Sequence, residues 1–141
     1  MKIALASDHA GFDLKALLVS HLSEAGHEVT DLGPDDKQSV DYPDFGRKLA
    51  EHIAAGKAER GIAICGSGLG ISIAVNRNPA CRCARVCEPL SAALARQHND
   101  ANVVAIGERL VGSDMAKAIV EAFLTTPFDG GRHQRRVDKL S

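Results

Sequence analysis

Aromatic residues are scarce in this 141-residue chain: no tryptophan, one tyrosine and four phenylalanines. The interior must be built from Ala, Gly, Ile, Leu and Val, which suits an α/β sandwich. An excess of either charge is lacking too, with 17 Lys and Arg against 18 Asp and Glu. No global field therefore recruits nucleic acid or a membrane surface. No run approaches the ~18 apolar residues of a membrane span, and no charged-then-apolar leader opens the chain. The expectation is a soluble, unsecreted protein with no membrane and no nucleic-acid partner. The four cysteines, at 65, 81, 83 and 87, lack the spacing of a disulfide framework, which fits a reducing cytoplasm. Nor do Cys81, Cys83 and Cys87 make a zinc set: no fourth ligand is near, and their run along a strand is read as pointing side chains to both faces. Internal repeats and low-complexity linkers are also missing, so 1–141 reads as one domain, with 128–141 as its C-terminal tail.

The informative stretch is Gly-Ile-Ala-Ile-Cys-Gly-Ser-Gly-Leu-Gly-Ile-Ser-Ile-Ala-Val-Asn at 61–76. Ile62, Ala63 and Ile64 form the unbroken apolar run of a buried parallel strand. Gly66, Gly68 and Gly70 follow, and then Ile71 to Val75 read as a helix. Cys65 thus sits at a strand-to-helix turn, where open α/β sheets bind ligands. Three motifs are excluded. Ile71 stands where a dinucleotide fingerprint needs its last glycine, and no Lys follows as in a P-loop. The position of a cysteine phosphatase's arginine is Ile71 again. What remains is a thiol beside N–H groups that favour oxyanions, with the Ser67 hydroxyl nearby. The same field favours thiolate over thiol and would lower the Cys65 pKa. The other reading is a buried structural cysteine before a glycine turn.

Apolar runs and turn signals divide the rest of the chain. Strands are expected at 2–7, 28–32, 82–86 and 102–106, besides the one ending at Cys65. Helices are expected at 12–25 (stopped by Gly26), from Pro43 to about Ala55, from Glu88-Pro89 to His98, and after Gly112-Ser113-Asp114, the last with Ala118, Ile119, Ala122 and Phe123 inward. Strand and helix alternate throughout, which defines an α/β fold: a doubly wound, Rossmann-like three-layer sandwich with a five-stranded parallel sheet.

Asp8 and His9 occupy a second strand-to-helix turn, although Asp8 reads equally well as a helix cap. Tyr42 either faces a ligand or plugs its loop. His98 lies at a helix C-terminus, whose dipole favours the imidazolium; this suits either proton transfer or a plain cap. The basic tail Gly130 to Val137 is either solvated or a phosphate clamp. If it is helical, Arg132 and Arg136 share a face.

The set Ser-Asp-His-Ala-Gly at 7–11, Asp-Tyr-Pro at 41–43, Cys-Gly-Ser-Gly-Leu-Gly-Ile-Ser at 65–72, Arg-Gln-His-Asn-Asp at 96–100, Gly-Glu-Arg at 107–109 and Gly-Gly-Arg-His-Gln at 130–134 resembles the type B ribose-5-phosphate isomerases. The wider family also holds galactose-6-phosphate isomerase subunits and allose-6-phosphate isomerase. The resemblance covers essentially the whole chain. It implies aldose–ketose isomerisation of a sugar phosphate through an enediolate, without metal or organic cofactor.

Carried over residue by residue, the resemblance makes Cys65 the base between C1 and C2. The N–H groups of Gly66 to Gly70 become the oxyanion site, and Ser67, where many members have Thr, a proton-shuttling hydroxyl. Some relatives lack the cysteine and use a glutamate at the position of Leu69; with Cys65 present and Leu69 apolar, the thiolate is favoured. His98 would open the ring, with Asp8, Tyr42 and Asn99 on the sugar hydroxyls and ring oxygen. Arg132, Arg136, His9 and Arg109 would hold the phosphate. The resemblance further implies sites between two subunits of a homodimer, with a tetramer left open. Ribose 5-phosphate is the expected substrate. A six-carbon aldose 6-phosphate, or a non-catalytic phosphate- or nucleotide-binding module, are the alternatives.

Overall fold

Five apolar runs become the strands β1 (Lys2–Ser7), β2 (Glu28–Asp31), β3 (Arg60–Cys65), β4 (Cys83–Arg85) and β5 (Val103–Gly107). They come from a computed structural model, which describes residues 1–140. Their order across the sheet is β2-β1-β3-β5-β4, and every neighbouring pair is parallel. From β1 the chain steps outward to β2, then crosses back to lay β3 on the other side of β1. That reversal puts a crevice at the carboxyl ends of β1 and β3, the usual ligand position of such sheets.

Helices cover both faces: α1 (Phe12–Glu24), α2 (Tyr42–Ala54), α3 (Leu69–Val75), α4 (Pro89–Asn99), α5 (Ser113–Thr125) and α6 (Arg132–Asp138). Strand alternation divides the core in two. Ile3, Leu5, Ile62, Ile64, Val104 and Ile106 pack against α1, α4 and α5. The smaller Ala4, Ala6, Ala63 and Ala105, with Cys65, face α2 and α3. Large side chains thus fill the space under three helices, and small ones let two helices approach closely. Full burial of each Ile or Leu contributes about 1.5–3 kcal/mol.

The doubly wound, five-stranded α/β sandwich expected from the sequence is the fold observed, with local differences. Tyr42 is the first residue of α2, with Asp41 as cap, and Pro43 is the second. Both first-turn positions spare an N–H, so proline suits either. Ala118 is exposed; the inward stripe of α5 is Ala116, Ile119, Val120 and Phe123, the i, i+3, i+4, i+7 spacing that leaves Ala118 outside it. Cys81 and Cys83 do not diverge to opposite faces. Two residues apart along extended chain, both join the core under α2 and α3, while Cys87 is exposed. The basic tail adds the sixth helix, α6, which packs on α4, and its final residue, Ser141, lies outside the described residues.

Candidate active site

A cleft of about 330 Å³ opens at the carboxyl ends of β1, β3 and β5, lined by Asp8, His9, Tyr42, Cys65, Gly66, Ser67, Gly70 and Arg109, with Ala10 and Leu110. A larger groove of about 540 Å³ between α2 and α3 shares Tyr42 and Gly70 with it but contains neither cysteine nor histidine.

Cys65 ends β3 and is only 4% exposed. The Gly68 N–H donates to its Sγ at 3.1 Å. That orientation needs the left-handed backbone at Gly68 (φ +76°), which a side chain would strain. The Leu69 N–H donates to Ser67 Oγ at 3.2 Å. Two of the N–H groups expected to face a ligand are therefore turned onto side chains of the loop itself. Gly107 seats the turn from the other side; a Cβ there would come within 2.6 Å of the Ser67 carbonyl carbon. The turn is tied to the loop after β5, with Glu108 N–H donating to Cys65 O at 3.0 Å and Arg109 N–H to Gly66 O at 3.0 Å. Across the cleft the Tyr42 ring lies against Gly70, where an added Cβ would be 2.6 Å from the ring Cζ.

Asp8 both caps and lines. Its Oδ1 accepts from Ala10 N–H at 2.9 Å and Gly11 N–H at 3.1 Å, starting the short 3-10 turn His9–Gly11. Both bonds use one oxygen. His9 Nδ1 is 3.1 Å from the Val40 nitrogen and 3.2 Å from its oxygen, so one tautomer accepts and the other donates. When Nδ1 accepts from Val40 N–H, the ring proton sits on Nε2, a donor suited to an anion.

His98, Asn99, Arg132 and Arg136 are not in this cleft. His98 and Asn99 end α4, which runs back from the carboxyl edge of the sheet toward the start of β5. They lie a strand's length from Cys65, about 16 Å for a five-residue strand. There Arg96, 3% exposed, pins the helix end by donating to Asp100 Oδ1 at 2.9 Å and Ala101 O at 2.6 Å. His98 stacks on His133 of α6, the helix that also carries Arg132 and Arg136. Burial pushes the Cys81 and Cys83 thiols up, which makes both poor nucleophiles.

Three supporting residues, Lys15, Arg85 and Leu110, escape a reading of motifs, and a fourth, Glu108, lies within the Gly-Glu-Arg motif but was given no role. Lys15 is fully buried in α1 and donates to Asp31 Oδ1 at 2.7 Å and Pro34 O at 2.9 Å, holding the loop that carries Val40. Glu108 accepts from Leu14 N–H at 2.6 Å, joining the loop after β5 to α1. Burial raises its carboxyl above the usual range against the pull of that bond. Leu110 lines the cleft, and Arg85 donates from Nε to Ser67 O at 3.0 Å. The signals were a charge in the helix stripe at Lys15, one closing the short strand at Arg85, and the place of Glu108 in the Gly-Glu-Arg motif.

A doubly wound sheet with a hydrogen-bonded thiol at its switch point, ringed by acid, imidazole and guanidinium groups, defines a protein of the class that handles small anionic ligands. A model of the Ribose/Galactose Isomerase family matches residues 3–140, and the chain belongs to that family. Escherichia coli (strain K12) ribose-5-phosphate isomerase B is 48% identical over 140 residues, covering 99% of this chain and 94% of that protein. The solved ribose-5-phosphate isomerase B of Clostridium thermocellum matches with a TM-score of 0.98 at 50% identity, over 99% of this chain and 95% of the other. That of Mycoplasma genitalium, with bound ribulose-5-phosphate, has a TM-score of 0.94 at 41% identity, over 99% and 93%.

Proposed function

We infer that the chain interconverts D-ribose 5-phosphate and D-ribulose 5-phosphate through an enediolate. The observation that carries this is the Cys65 sulfur in the cleft with the Gly68 N–H aimed at it at 3.1 Å. An N–H dipole directed at sulfur stabilises negative charge there, as a base requires. In the open-chain aldose, the Cys65 thiolate takes the proton from C2, and the electron pair moves to the C1 carbonyl oxygen. The remaining N–H groups of the turn, on Gly66, Ser67 and Gly70, hold that oxyanion. The Ser67 hydroxyl passes a proton between the two oxygens, and the thiol returns its proton to C1. Asp8, with one carboxylate oxygen uncommitted to capping, and Tyr42 hold sugar hydroxyls, while His9 and Arg109 take part of the phosphate.

Ring opening falls to His98, with Asn99 beside it, and the rest of the phosphate to Arg132 and Arg136. Those four lie at the opposite end of the sheet from Cys65, so a second subunit has to bring them to the cleft. The working unit is thus a homodimer with each site shared. Exposed Leu69 (52%) and Leu110 (55%) beside the cleft favour a covered surface there. The four free cysteines accord with a reducing cytoplasm.

The test is a panel of initial rates on ribose 5-phosphate, allose 6-phosphate and galactose 6-phosphate. The highest kcat/KM is expected on ribose 5-phosphate. A six-carbon preference would reassign the substrate, and no turnover of any would leave a binding module.

A further inference from the structure

Arg85 closes β4, on the edge of the sheet, and its half-buried side chain is not part of the cleft lining. Its Nε donates to the Ser67 carbonyl oxygen at 3.0 Å. The other end of that same peptide is the Gly68 N–H, 3.1 Å from Cys65 Sγ. One planar unit therefore holds a guanidinium at its oxygen and the sulfur at its hydrogen. Because the peptide is rigid and its C=O and N–H point in opposite directions, fixing the oxygen fixes the aim of the N–H. Glycine at 68 permits this orientation but permits the flipped one as well, so the backbone alone does not choose. A cation on the carbonyl chooses, and it polarises the N–H toward the sulfur.

Other charged or titratable groups approach Cys65 from the elements around it: Asp8 and His9 after β1, Tyr42 at the start of α2 and Arg109 after β5. Glu108 is engaged with Leu14 N–H. Among the described residues, the Gly68 N–H is the one hydrogen-bond donor to Sγ. We propose that Arg85 is a positioning residue for Cys65, holding the Ser67–Gly68 peptide so that its N–H stabilises the thiolate. This rests on the reading of Cys65 as the base.

Iodoacetamide labelling of Cys65 across pH, read at the peptide level by mass spectrometry, tests it without substrate and apart from the other cysteines. In Arg85→Met, which keeps the apolar stem, the labelling midpoint should rise by about 0.5–1 pH unit, so labelling at neutral pH slows about 3- to 10-fold. Arg85→Gln, with an N–H donor but no charge, should shift the same way. The kcat of both variants should fall at neutral pH and recover at alkaline pH, where the thiol ionises unaided. A merely structural lesion would lower kcat equally at every pH. An unchanged labelling midpoint in both variants, or a deficit independent of pH, overturns the proposal. An active Cys65→Ala would instead overturn the base reading, and the labelling result would stand apart from it.

Discussion

His98 and His133 stack with their ring centroids 4.5 Å apart and their planes 14° from parallel. The stack fastens α6 to the end of α4 and groups Arg132 and Arg136 with His98. Burial first, then the charges of His98, Arg132 and Arg136, hold His133 below the ordinary imidazole range, with Asp129 opposing. A histidine with a lowered folded pKa is protonated more readily when unfolded. Its contribution to stability is therefore greatest above its unfolded pKa of about 6.5 and is lost as pH falls below that value. Thermal unfolding at pH 7.5 and pH 5 should show wild type losing more stability on acidification than His133→Gln. His52 has the same sign and is present in both proteins, so it cancels. Identical pH dependence in the two would refute the assignment to His133.

Cys65→Ala should bind sugar phosphate yet turn over at least about 10²-fold more slowly, the usual cost of losing a positioned base. Turnover is read by ketose formation and binding by calorimetry with ribose 5-phosphate. Near-normal turnover would assign the proton transfer to another group.

If His98 opens the ring, His98→Asn should impair cyclic ribose 5-phosphate much more than linear ribulose 5-phosphate. Initial rates in both directions decide it. Equal losses would place His98 at the enediolate step.

Much of this architecture was legible in the residues, because the apolar runs that make β1, β3 and β5 have the period and length of buried strands. The turn after Cys65 was legible for a different reason: glycines between a buried strand and a helix mark a tight turn, and the left-handed backbone found at Gly68 is one that glycine adopts without strain. The destinations of single N–H groups were not, since Gly68 and Leu69 turn theirs onto Sγ and Oγ by choices of backbone angle that composition does not encode. Nor was the separation of His98 from Cys65 written in either motif. It follows from α4 running antiparallel to the strands, a property of the assembled sheet. Lys15 shows a third limit: a charge in a helix stripe reads as exposed until Asp31 and Pro34 are seen to receive it.

Arg132→Ala and Arg136→Lys should each lower kcat/KM on ribose 5-phosphate about 10- to 100-fold, because charge-assisted forked contacts are lost and an ammonium does not restore the planar geometry. Unphosphorylated ribose should react poorly with wild type and be little affected by either change. Two silent substitutions would leave α6 a solvated basic helix.

Cys65 at the carboxyl edge and His98 at the amino edge of one sheet cannot meet within a chain, so each functional site would take one from each subunit. Cys65→Ala and His98→Asn homodimers should both be nearly inactive on ribose 5-phosphate. Unfolded together and refolded as an equal mixture, they form hybrids in which one site carries both defects and the other carries neither. With half the dimers hybrid and one intact site in each, activity should recover to about one quarter of wild type in a twofold-symmetric dimer. A control mixture of Cys65→Ala with Cys65→Ser should recover nothing. Failure of the first mixture to exceed this control, with hybrid formation verified by native mass spectrometry of differently tagged chains, would mean that no site draws Cys65 and His98 from different subunits and would end the shared-site reading.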